Sequence, residues 1–197
     1  WDLHRELETE TRRLNSSGRY NDLTAGLGCA LIDSAIIDAI CRATDQGLRG
    51  AISTNALGLG EQFTALLPQA PNQKIDVRHT VGLLDPLHDN ELTEPLHDGL
   101  PQSLEKVIDS YGIRWFKLKA SANQEEVMTR LRQVNGLLTA KLGAGNFHIT
   151  IDANEQFQTP ADFLSFLVIF ESAQDIADFR KQILWVEQPL HRDTALS

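Results

Sequence analysis

Lys117, Asp152 and Glu187 recur at equal intervals of 35 residues, each at or beside the end of a short run rich in β-branched and aromatic side chains. Those runs cover residues 113–118, 147–151 and 183–186, and a fourth of mixed polarity covers 75–83. The segments between them keep helical spacing. Leu104, Val107, Ile108 and Tyr111 share one side of a helix predicted over 101–111, with Gly112 as its stop. Val127, Leu131, Val134 and Leu138 mark the next, and Ser121 with Gln124 gives it a capping-box signal. A third opens at Thr159, Pro160 and Asp162 and is predicted to break near 171–173.

Strand, helix, strand, helix, strand, helix, strand is the order of βαβ units and a parallel sheet. Polar residues at regular strand ends fit a (β/α) barrel, whose chemistry sits at that end. An open doubly wound sheet also binds ligands there, so spacing alone leaves both folds standing. Four strands of a barrel would leave two open edges and a bare inner face.

Upstream, residues 3–14 read as a polar helix and 25–43 as an apolar one, interrupted by Asp33 and Asp38. Pro68 and Pro71 mark a boundary, which predicts two domains, 1–70 and 71–197. The formal net charge of -9 argues against nucleic acid or anionic lipid as a partner. The longest apolar run, "FLSFLVIF" at 163–170, is too short for a membrane span. The two cysteines, Cys29 and Cys41, make no disulfide framework, and buried free thiols fit a cytoplasmic setting. The chain opens on Trp1 without Met and stops in "HRDTALS", so a piece of a longer protein is expected.

The strand ends carry the chemistry. In "FKLKA", Lys117 and Lys119 are two apart and point to one side of an extended chain. Two neighbouring ammonium groups are expected to lower each other's pKa, which would fit a lysine for proton transfer near neutral pH. In "ITIDANEQF", Asp152 ends the run and Asn154 follows on the same side. In "LWVEQPL", Glu187 follows an apolar strand and Pro189 ends it. Acids on adjacent rigid strands are what a hard cation such as Mg²⁺ selects. His79 is a candidate for the mouth of the sheet. His148 is expected to pack or face a helix, and Glu155 to face solvent. Trp115, Phe116, Phe147 and Trp185 are assigned to core packing. No HxxxH, CxxC, GxGxxG or GxxxxGK[ST] occurs.

"KLK", "DAN" and "VEQP", in that order at successive strand ends, resemble the enolase superfamily, and within it the mandelate racemase and muconate-lactonizing branch. "LIDSAIIDAICRA", 31–43, resembles the helical segment before the barrel in those proteins. The resemblance implies the tail of a capping domain followed by the first four strands of a (β/α) barrel. It implies Lys119 as the base at the substrate α-carbon and Lys117 as its neighbour, neutralising the substrate carboxylate and lowering the pKa of Lys119. Asp152 and Glu187 become two of three Mg²⁺ ligands, and Asn154 a substrate-placing residue. The reaction implied is abstraction of a proton α to a carboxylate through an ene-diolate, leading to racemisation, epimerisation, cycloisomerisation or dehydration. A small carboxylate is the partner implied, and homo-oligomers are common in that family. The third metal ligand and the second acid/base group would lie beyond this sequence. The alternative is a truncated, non-catalytic fragment or interaction module that retains the first-half residues.

Overall fold

Four short runs form the sheet, and the second of them, Trp115–Lys119, alternates half-exposed and buried residues along its length. Strands β1 (Arg78–Val81), β2 (Trp115–Lys119), β3 (His148–Asp152) and β4 (Ile183–Glu187) pair in parallel in the order β1-β2-β3-β4. In this computed structural model, residues 2–68 and 70–195 are described. The chain divides into two compact units, Trp1–Gln73 and Lys74–Ser197.

In the second unit, Phe116 and Leu118 of β2 and Ile149 and Ile151 of β3 are buried on one face of the sheet. They join Val127, Leu131, Val134 and Leu138 of α6 (Gln124–Leu142) and Phe166 and Phe170 of α7 (Pro160–Ser172) in one hydrophobic core. Each of these side chains contributes about 1.5–3 kcal/mol by leaving water. The core fixes the sheet's other face, where Trp115, Lys117 and Lys119 stand half-exposed.

Local chemistry sets the helix ends. Before β2, α5 (Leu104–Tyr111) begins with Ser103 and stops at Gly112, whose φ of 63° is left-handed and favours glycine. Asn123, rather than Ser121, caps α6: its side chain accepts from the Glu126 amide, and the Ser121 hydroxyl serves the Asn123 amide instead. Thr159 completes a capping box at α7, accepting from the Asp162 amide at 3.2 Å while the Asp162 carboxylate accepts from the Thr159 amide at 3.0 Å. Replacing Thr159 with Ala is expected to cost about 1 kcal/mol in urea unfolding of the whole chain. No change in the urea midpoint would show that the box adds nothing to stability. As the sequence predicts, the helical segment breaks after Ser172 and resumes as α8 (Ala177–Arg180) before β4.

Strand β1 is shorter than the run 75–83. The Gly82 amide donates to the Asp85 carboxylate at 2.6 Å and turns the chain off the sheet, while Ile75 and Val77 remain exposed.

The first unit holds α1 (Asp2–Leu14), α2 (Asp22–Ala43), α3 (Leu48–Ser53) and α4 (Glu61–Thr64). Gly47 caps α3 and Gly50 lies inside it. By length and composition α2 is apolar enough to cross a membrane. Counting only uninterrupted apolar runs hides it, because Asp33 and Asp38 divide the helix. Leu23, Leu27 and Leu31 on α2 are exposed.

Candidate functional site

The strand register builds the site in rows. Lys119 pairs with Asp152, and Asp152 with Glu187, which places the last residues of β2, β3 and β4 side by side. One row back stand Thr80, Lys117, Thr150 and Trp185. Because side chains alternate, all of these project from the face opposite the core.

The Asp152 carboxylate is the centre. The residue is 1% exposed; its Oδ2 accepts from Lys119 Nζ at 2.7 Å and forms an ion pair with Lys117 Nζ at 2.8 Å. Its Oδ1 accepts from the Asn154 amide at 2.9 Å, a local turn that asparagine and aspartate favour. Lys119 also donates to Asn154 Oδ1 at 2.6 Å. Lys117 Nζ touches Glu187 Oε1 as well as Asp152, so the two acids share one ammonium and one face of the sheet. Glu187 Oε1 is buried, and this ion-pair contact is angled so that the oxygen receives no directed hydrogen bond.

These contacts set the charges. Burial is the largest single influence on Asp152 and pushes its pKa up. The close contacts from Lys117 and Lys119, with the hydrogen bond from the Asn154 amide, together override it and bring the carboxyl to about 2. Lys117 moves opposite to the sequence expectation. Its close ion-pair contacts with Asp152 and Glu187 raise it above the ordinary lysine value, because two acids face it more closely than any ammonium does.

Backbone conformation places Asn154. It has a φ of 46°, Glu155 follows at 62°, and Gln188, after Glu187, stands at 47°. Such values are uncommon outside glycine and concentrate at functional turns. The two turns hold each other: the Glu155 amide donates to the Gln188 carbonyl at 2.7 Å and the Phe157 amide to the Pro189 carbonyl at 3.1 Å. Glu155 does not simply face solvent. It accepts from Arg192 at 2.7 Å, at the start of α9 (Arg192–Ala195).

Other sequence assignments change. His148 lies on the site face, its ring tilted against that of Trp115 with centroids 4.1 Å apart, so it packs but does not face a helix. Trp185 is half-exposed on that face, with the Arg78 guanidinium 5.7 Å from its ring, and is not core. His79 aligns with Phe116 on the helix side and not at the mouth; burial lowers its pKa.

A second polar group lies in the first unit. His4 Nδ1 and Asp33 Oδ2 are 2.6 Å apart, and Cys29 Sγ lies 3.8 Å from each. These three ligand atoms can hold a metal ion. Burial and the Asp33 charge push the Cys29 thiol up. Sequence motifs missed this group because His4 comes from α1 and the others from α2. The legible part was Cys29 and Asp33, four apart on one helix face.

No protein-family model, curated protein or solved structure matches the chain.

Proposed function

We propose that Lys117, Lys119, Asp152, Asn154 and Glu187 are the retained half of a carboxylate-processing site, and that in this chain they form a charge-compensated, non-catalytic set. The observation that supports this most is the Lys117 ammonium in contact with both acids. A general base near neutral pH needs an available lone pair. Here Lys117 is held cationic by its acids, and Lys119 Nζ is engaged by Asp152 and Asn154.

A second reading has its own support in the row of Lys119, Asp152 and Glu187 at adjacent strand ends. In it, the four-stranded sheet is part of an enolase-type (β/α) barrel, and the first unit is the tail of its capping domain. Asp152 and Glu187 fit Mg²⁺: both offer hard oxygen donors on rigid strands, and Glu187 Oε1 lacks a directed hydrogen bond. When bound, the cation supplies positive charge near a substrate carboxylate. Lys117, shared between acids and substrate, neutralises that carboxylate. Asn154 orients it, and Lys119, released from Asp152, takes the α-proton.

The test compares the two readings in the chain as it stands. With Mg²⁺ and a panel of small 2-substituted carboxylic acids in D₂O, no α-deuterium should appear above the buffer rate. Calorimetric titration should give Mg²⁺ affinity on the order of millimolar or weaker, lost in Glu187→Gln with the fold unchanged. Exchange by the intact chain that disappears in Lys119→Ala would overturn the non-catalytic reading in favour of the second.

A further inference from the structure

We infer that His4, Cys29 and Asp33 form a binding site for a Zn²⁺-class transition-metal ion, its fourth coordination position opening toward an adjacent apolar cavity. The site is separate from the strand ends and asks for different chemistry. A thiolate and an imidazole select borderline and soft cations, whereas Mg²⁺ and Ca²⁺ prefer oxygen donors.

Geometry supports the assignment. With metal–ligand bonds of about 2.0–2.3 Å, neighbouring ligand atoms of a tetrahedral Zn²⁺ site stand roughly 3.3–3.7 Å apart. Cys29 Sγ already lies 3.8 Å from both His4 Nδ1 and Asp33 Oδ2. His4 and Asp33, now joined at 2.6 Å, need only open by a fraction of an ångström as their hydrogen bond gives way to two coordination bonds. Cys29 and Asp33 are fixed one turn apart on α2, a helix of 22 residues capped by the Asn21 side chain. His4 is fixed on α1, so two rigid elements present the three ligands.

The surroundings point the same way. His4 and Asp33 border a cavity of about 280 Å³ whose other walls include Ile36, Ile40, Ile52 and Leu57. Three protein ligands with an open position facing an apolar space is the pattern of a site that takes a water or small ligand as its fourth partner. Coordination exchanges the Cys29 S–H for an S–metal bond and releases the proton to solvent. Because the ligands come from both helices, the ion also ties α1 to α2. Cys29 is one of few buried apolar residues in this unit among those described, so the tie should raise its thermal stability.

The experiment uses the full reduced chain with Co²⁺ as a spectroscopic stand-in for Zn²⁺. Co²⁺ should produce tetrahedral visible bands together with an intense near-ultraviolet thiolate-to-cobalt band, and Zn²⁺ should bleach both. The thiolate band should persist in Cys41→Ser and in Glu187→Gln, which separates this site from the strand-end acids. It should vanish in Cys29→Ser, and His4→Gln should weaken Co²⁺ binding by about tenfold or more. The wild-type spectrum needs no variant to fold: absence of the thiolate band there overturns the proposal. So does a band that survives Cys29→Ser or is lost in Cys41→Ser.

Discussion

Replacing Asp152 with Asn is expected to destabilise the chain by on the order of 3 kcal/mol, read as a fall of about 10 °C in melting temperature. The substitution keeps shape and removes only charge. Lys119 is left facing two neutral amides, and Lys117 keeps Glu187 alone. Removing one partner from a buried charge cluster costs far more than the pair's net worth, because the remaining ions stay desolvated. A second substitution should therefore restore part of the loss. Asp152→Asn combined with Lys119→Met should be more stable than Asp152→Asn alone. If the double variant simply adds the two single losses, the lysine–acid cluster is not an energetic unit.

The same carboxylate fixes a pH dependence. Its folded pKa of about 2 lies below the unfolded value of about 3.9. The unfolded state therefore binds the proton first as pH falls. The resulting stabilisation, on the order of 2 kcal/mol, is complete above the unfolded pKa and is lost as pH falls through about 2. Lys117 has the opposite sign: its raised pKa stabilises the fold below the ordinary lysine range, and that contribution fades as pH rises through the folded value. Urea unfolding between pH 5 and pH 2 should show a smaller acid loss in Asp152→Asn than in the parent chain. Equal slopes would remove Asp152 from this role.

How much of this the sequence revealed depends on the range over which each feature is encoded. Lys117 and Lys119 sharing a face, and Asp152 closing a strand, follow from a two-residue period within one segment. The capping box at Thr159 and the stop at Gly112 are likewise local. That Lys117 binds both acids is not local: it requires β2, β3 and β4 in one order and one register, including the irregularity beside Ile149. The isolated "KLK" points toward mutual repulsion and lowered pKa values, and only the neighbouring strands reverse the sign for Lys117. The His4, Cys29 and Asp33 group depends on how α1 meets α2, a relation with no fixed spacing. Asn123 supplanting Ser121 is a competition between two good caps, which differ by too little for composition to decide.

Phe157→Ala is expected to cost about 4 kcal/mol and, unlike an equal loss elsewhere in the core, to loosen the turn that carries Asn154. Phe157 is 2% exposed and packs its ring 5.3 Å from Phe163 and 5.5 Å from Phe166. Its backbone also bridges the two chains leaving the sheet, donating to the Pro189 carbonyl and accepting from the His191 amide at 2.8 Å. Asn154 and Glu155 hold left-handed conformations that cost energy in isolation, so they persist only while this anchor holds the turn. Phe179→Ala is the control: that ring, in α8, is equally buried, but it packs against Phe147 just before β3, away from the turn. Both variants should melt well below the parent chain. Only Phe157→Ala should show early hydrogen exchange at the Glu155, Phe157 and His191 amides, before global unfolding. If exchange at those amides matches between the two variants, the turn does not owe its conformation to Phe157. Asn154 would then be held by its bonds to Asp152 and Lys119 alone, and the charge cluster would be the cause of the turn, not its consequence.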